Sequence, residues 1–169
     1  MMELWDVYDE NRRETGKTHV RGIPLESGEY HLVADVWTVN ERGEVLLTRR
    51  HPKKPYGLMW ECSGGSVLAG ETSLKGAVRE LAEETGIHVK EEELVLIHTV
   101  RLNERFVDTY ITRQSIAVEE LTLQPEEVVD AKFVTFKELL QMWEQGIVVP
   151  KTRFLLYKDC IHEFTNPSS

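Results

Sequence analysis

The sequence predicts an α/β fold in which a mixed β-sheet is covered by helices on both faces. Three observations carry this. Stretches of β-branched and aromatic residues, several alternating with polar ones, are interleaved with stretches of helical periodicity, the pattern of layered α/β chains. The chain has 169 residues, 41% hydrophobic and 29% charged, which suits one domain with a real core rather than two. Gly64 and Gly65 lead into an amphipathic helix, so strand, tight bend and helix follow one another near the middle of the chain.

The elements are justified in order. Residues 3–8 and 17–21 read as short strands around the polar turn of residues 9–16, a hairpin extension filling residues 1–29. Strands follow at residues 31–39 and 44–50, joined by the turn Asn40-Glu41-Arg42-Gly43. A further strand is expected at residues 60–67 and a helix at residues 72–85. Strands at 94–101, 106–118 and 131–136 come next, then helices at 136–145 and 152–162. In the last helix Phe154, Tyr157, Ile161 and Phe164 fall at helical spacing and are read as core. Residues 165–169 read as a loose tail, and 1–169 as one domain.

Composition narrows the function. A net charge of −9 argues against a nucleic-acid partner, since phosphate backbones are bound by clustered cations. There is no run of 18 apolar residues, and the first eight residues are acidic where a leader would be basic. A cytoplasmic protein with no membrane partner is expected. Cys62 and Cys160 form no metal-ligand pattern and are read as inert thiols.

The helix at 72–85 carries the chemistry. Leu74, Ala77, Val78 and Leu81 recur at three- and four-residue intervals. Thr72 or Ser73 can cap its start, and Gly86 suits the left-handed position past its end. Glu80, Glu83 and Glu84 then stand at i, i+3 and i+4, so three carboxylates share one face. Their mutual repulsion disappears if Mg²⁺ or Mn²⁺ sits among them, because hard divalent ions take oxygen ligands. Gly64 and Gly65 lie where backbone must approach a cation or phosphate closely. Arg49, Arg50, Lys53 and Lys54 form a basic cluster between a strand and this bend, suited to gripping phosphate oxygens. Strand alternation sends Arg49 and Arg50 to opposite faces. Tyr56 and Trp60 are read as packing the loop.

From Gly65 the chain reads Gly, five residues, Glu71, seven residues, Arg79-Glu80-Leu81, one residue, Glu83-Glu84, one residue, Gly86-Ile87. At every defining position this resembles the signature of the Nudix hydrolases, a match with a chance frequency of roughly 10⁻⁷ at average residue usage. The resemblance implies an α/β/α sandwich, and a metal shell of Glu80, Glu83, Glu84 and the Gly65 carbonyl. Glu71, Arg79 and Gly64 would support the site. It implies metal-assisted attack of water on a diphosphate linkage in a nucleoside-diphosphate compound or related organic diphosphate, with the helix glutamates as catalytic groups. The base would be one of them or a loop carboxylate, with Glu104, Glu126 and Glu127 as candidates. A homodimer is compatible with the resemblance.

A second likeness spans much of residues 30–140. HLVADVWTVNERGEVLLTRR, the Lys53-Lys54 pair, Gly57-Leu58-Met59-Trp60 and EEVVDAKFVTFKELL look like type I isopentenyl-diphosphate isomerase. It assigns diphosphate contacts to Arg50 and Lys53. The isomerase cysteine, however, falls at Gly64 and its neighbouring metal histidine at Ser66. His31 matches another metal histidine, but that residue's partner falls at Pro24. The isomerase's paired glutamates become Glu104-Arg105-Phe106, and Cys62 is two residues out of place. Hydrolysis is therefore the expected chemistry. An isomerase-like enzyme and a non-catalytic ligand-binding domain are the alternatives.

Overall fold

The computed structural model describes residues 2–166. Strands β1 (Leu4–Tyr8) and β2 (Glu14–Val20) form an antiparallel hairpin. β2 begins earlier than the sequence suggests. Asp9 Oδ1 accepts from the Asn11 and Arg13 amides at 2.8 and 2.9 Å and closes the turn within residues 9–13. The main sheet contains β3 (His31–Val39), β4 (Val45–Arg50), β5 (Trp60–Glu61), β6 (Ser63–Ser66), β7 (Val95–Leu102), β8 (Arg105–Arg113) and β9 (Val128–Val134). Its backbone order is β5-β4-β3-β8-β7, with β6 beside β3 and β9 beside β4. β3 and β8 are parallel and the other pairs antiparallel, which makes the sheet mixed.

The continuous strand expected at 60–67 is two strands. The chain pairs with β4 through Trp60–Glu61, passes the buried Cys62, and switches to β3 through Ser63–Ser66. The strand expected at 106–118 stops at Arg113. Past it the Gln114 amide donates to the Val39 carbonyl, and residues 118–120 turn as a short 3₁₀ segment.

Helix α1 (Ser73–Thr85) covers one face, burying Ala77 and Leu81 against Leu32, Ala34, Val36, Phe106 and Tyr110. Helices α2 (Phe136–Glu144) and α3 (Phe154–Thr165) cover the other. There Leu139, Met142, Phe154, Tyr157 and Ile161 pack on Trp37, Val39, Val45, Leu47 and Ile111. The result is the α/β/α sandwich, with a core on each side of the sheet. α3 reaches Thr165, so the tail expected from that residue starts later; residues 167–169 lie outside the described residues. Among the described residues, no helix is long and apolar enough to cross a membrane.

Strand alternation explains where the site opens. On β3, Trp37 and Val39 face the α2–α3 core, while His31, Val33 and Asp35, nearer the strand's start on the same face, line an open cleft. The N-terminal hairpin forms another of its walls. Tyr8 pairs with Tyr30, the Ala69 amide donates to the Leu4 carbonyl, and the Gly70 amide donates to Asp6 Oδ2 at 2.8 Å. Arg12 reaches across to the buried Asp108 with bonds of 2.7 and 2.5 Å.

Candidate functional site

α1 is set by its ends. Thr72 Oγ1 accepts from the Lys75 amide at 3.1 Å, and Gly86 adopts φ 77° at the C-terminus. With the helix so fixed, Glu80, Glu83 and Glu84 all line a cleft lobe of about 650 Å³, together with Gly64 and Gly65. Glu80 lies against the bend: a Cβ on Gly65 would sit 2.5 Å from Glu80 Oε1 and 2.6 Å from its Cδ. Glu84 is 5% exposed, and its Oε1 accepts from the Gly64 amide at 2.9 Å. Glu83 is the most exposed of the three.

Arg79 organises the loop that leads into α1. Its Nε and Nη2 donate to both oxygens of Glu71 at 2.8 and 3.0 Å, and Nη2 also donates to the Ser66 carbonyl at 3.0 Å. Glu71 Oε1 accepts in addition from the Leu68 amide at 2.8 Å. Burial opposes ionisation of Glu71, but these donors leave its carboxyl below the usual range. The remaining nitrogen, Nη1, lies 3.0 Å from Glu80 and 3.2 Å from Glu83.

The donor set fits a hard divalent ion. Burial raises the Glu80 carboxyl and pushes Glu84 well above the ordinary carboxylate range, so these groups lack sufficient positive charge nearby. All the donors are oxygens, and the glycine bend brings backbone against Glu80. Among the described residues, however, no three acidic, histidine or cysteine side chains converge on one point. The three glutamates share a face and a lobe, with Arg79 rather than a common centre between two of them.

The cleft has a second lobe of about 480 Å³, lined in part by Asp35, Glu61, Cys62, Tyr56 and the segment Val149–Arg153. Arg50, Gly64, Arg105 and Arg153 line both lobes. Arg50 is held by Glu61 through Nη1 at 2.9 and 2.8 Å and donates from Nε to the Pro55 carbonyl. Two residues expected to contact substrate do not line the cleft. Arg49 donates to the Leu58 carbonyl and lies over the Trp60 ring, outside both lobes. Lys53 is exposed and also off the cleft, while its neighbour Lys54 lines it and pairs with Glu127. Arg49 is taken up by the Leu58 carbonyl and the Trp60 ring, the pairing of β4 with β9 shifts register between Arg49 and Arg50, and the turn at residues 51–54 accounts for the exchange between the two lysines.

Of the loop carboxylates, Glu127 lines the cleft, whereas Glu104 and Glu126 are exposed and do not. His31 is buried, stacked on Trp5 with centroids 3.8 Å apart, and burial lowers its pKa to about 4. Burial raises the Cys62 thiol, which makes it a poor proton donor and nucleophile. Sequence reasoning missed Trp5, Arg21, Asp35, Glu61, Arg105 and Arg153 as lining residues. Arg105 lay in the quoted Glu104-Arg105-Phe106 segment. Arg153 carries no local signal.

Known proteins agree with this architecture. A family model described as the NUDIX domain matches residues 29–152. A Nudix hydrolase of Listeria monocytogenes, described as uncharacterized, is 41% identical over 151 residues, covering 88% of this chain and 89% of its own. A solved structure from Deinococcus radiodurans aligns with a TM-score of 0.73 at 19% identity, over 97% of this chain and 100% of that one. A Francisella tularensis bifunctional NMN adenylyltransferase/ADP ribose pyrophosphatase, complexed with AMP and an Mn ion, aligns at 0.63 and 15% identity. That alignment covers 85% of this chain and 44% of that one. At these identities the two structures speak to the fold alone.

Proposed function

The chain belongs to the Nudix hydrolase family, and from that premise we propose that it is a Mg²⁺-dependent pyrophosphohydrolase of nucleoside-diphosphate compounds. One observation carries the reading: Glu80, Glu83 and Glu84 line the same lobe from one face of α1, with Gly65 against the Glu80 carboxylate.

Glu80, Glu83, Glu84 and the Gly65 carbonyl would hold the ion. When bound, Mg²⁺ neutralises diphosphate oxygens and lowers the pKa of a coordinated water. Arg79 and Glu71 keep the loop and helix in register, so the bend stays against Glu80. Glu84, fixed by the Gly64 amide, presents its other oxygen for ligation or for receiving a proton from the attacking water. Glu127, which lines the cleft and pairs with Lys54, is our alternative acceptor for that proton. Arg50 and Lys54 supply positive charge to diphosphate oxygens.

The lining of the second lobe supports a polar substituent. Asp35, Glu61, Arg50, Arg105 and Arg153 line it beside Tyr56, Leu102, Val149 and Pro150, a mixed wall that offers partners to ribose or sugar hydroxyls and to a base, whereas a prenyl chain would leave the charged groups unmatched. That favours hydrolysis over isoprenoid chemistry, as does the buried, proton-retaining Cys62. The name of the Francisella enzyme puts ADP ribose among the first compounds to try.

The test is a Mg²⁺-supplemented screen of nucleoside-diphosphate sugars, dinucleotides, nucleoside triphosphates and isoprenoid diphosphates, with products read by mass spectrometry. Release of a nucleotide or phosphate product by the native protein, and its loss in Glu83→Gln and Glu84→Gln variants that remain folded, is the expected result. Full turnover in both variants, or no product from any diphosphate, would overturn the reading.

A further inference from the structure

The cations around the cleft are not equivalent. Arg21 is paired with Glu3, Lys54 with Glu127, Arg79 with Glu71, and Arg50 with both oxygens of Glu61. Arg153 has one long contact, 3.3 Å to Asp35. Arg105 is half-buried and makes no direct ion pair among the described residues; the carboxylate whose charge it feels is Asp35, which Arg153 already contacts. These last two guanidinium groups both line the junction between the lobes.

Their backbones are fixed independently of any ligand. Arg105 opens β8, in parallel register with His31 on one side and antiparallel register with Leu102 on the other. Arg153 sits between the Lys151 carbonyl, which accepts from Trp143 Nε1 at 2.7 Å, and the fully buried Phe154. The segment before it is tied to β5, because the Val149 amide donates to the Trp60 carbonyl at 2.9 Å. Two guanidinium groups that share one carboxylate, Asp35, leave a net positive charge that an anion would complete. Guanidinium forks match the paired oxygens of phosphate.

We infer that Arg105 and Arg153 form an anion subsite at the lobe junction that grips the phosphate lying farther from the carboxylates of α1. The inference rests on the diphosphate reading above and deepens it. Asp35 is the positioning residue: its single contact holds Arg153 at the junction until phosphate oxygens take over. The subsite also sets a preference. A diphosphate reaches both the α1 carboxylate site and the arginine pair, whereas a phosphate monoester reaches one of them.

The test is calorimetric titration of the Mg²⁺-saturated full chain with methylenediphosphonate, which carries two phosphonates and is not hydrolysed. Arg105→Ala and Arg153→Ala should each weaken binding by about tenfold or more, the loss expected for a charge-assisted contact. Arg105→Lys should recover part of it, and Lys137→Ala, which removes an exposed charge on α2, should leave it unchanged. With any compound turned over, the same alanine variants should raise KM by a similar factor and leave kcat within about threefold. Binding within twofold of the native protein in both alanine variants would overturn the subsite, and so would no binding by the native protein. Absence of turnover in the screen would count against hydrolysis while the titration still reported on the arginines, so the two failures are distinguishable.

Discussion

Substituting the two glycines of the bend separates folding from metal binding. The three atoms nearest a Cβ on Gly65 all belong to the end of the Glu80 side chain, at 2.5 Å to Oε1, 2.6 Å to Cδ and 2.9 Å to Oε2. To restore an ordinary contact near 3.4 Å the carboxylate must retreat by roughly 1 Å, which rotation of a flexible side chain can provide. Gly65→Ala should therefore change stability by less than about 1 kcal/mol, a Tm shift within about 4 °C for a chain of this size. If Glu80 is the metal ligand proposed above, displacing it that far should cost on the order of 10²-fold in kcat/KM. Gly64→Ala is the contrast. Its Cβ would meet the Ala34 carbonyl at 2.6 Å and the Asp35 Cα at 3.0 Å, backbone of the paired strand β3 that cannot rotate away. A penalty of about 2–3 kcal/mol follows, or a Tm lower by about 4–12 °C. Thermal unfolding and steady-state turnover of both variants make the assay. A Gly65→Ala protein that melts as low as Gly64→Ala, or turns over at the native rate, would refute the reasoning.

Three further outcomes follow from the geometry. Arg79→Ala frees Glu71 and the Ser66 carbonyl and should lower stability by about 2 kcal/mol, with Arg79→Lys recovering only part because an ammonium cannot form the fork; thermal melts read both. Arg12→Ala leaves the buried Asp108 with the Thr99 hydroxyl but no cation, and should cost about 3 kcal/mol in urea unfolding. The pH dependence comes from His31. The unfolded chain takes up a proton below its ordinary pKa of 6.5, while folded His31 resists until about 4. Stability contributed by its neutral form is thus present above 6.5 and declines as pH falls toward 4. The loss is on the order of 3 kcal/mol, and His31→Phe, which keeps a ring against Trp5, should flatten that part of the Tm-against-pH curve.

Where the candidate site is built from neighbouring residues of one helix, the sequence is readable. The helical period fixed α1, and the spacing of Glu80, Glu83 and Glu84 placed them on one face of it. The cores of β3, β4 and the later helices were legible for the same reason, since alternation and 3.6-residue periodicity are local. The break at Cys62 was not, because β5 and β6 are separate strands only through their different neighbours. The cleft cations show the same limit. Arg105 and Arg153 lie far apart in the chain and are brought to one cleft by β8 and the loop before α3, whereas Lys53, nearer the motif in sequence, is exposed and does not line it. The Trp5–His31 stack required the hairpin to be folded against β3 before either residue could be counted with the site.

Titration with Mn²⁺ followed by electron paramagnetic resonance, on the native chain and on Glu83→Gln and Glu84→Gln, tests the proposed metal centre most directly. The free-ion signal should fall as the native protein takes up Mn²⁺, and each variant should bind at least tenfold more weakly by the loss of one charged ligand. Equal uptake by all three proteins, or none by the native one, would contradict a site built on those glutamates.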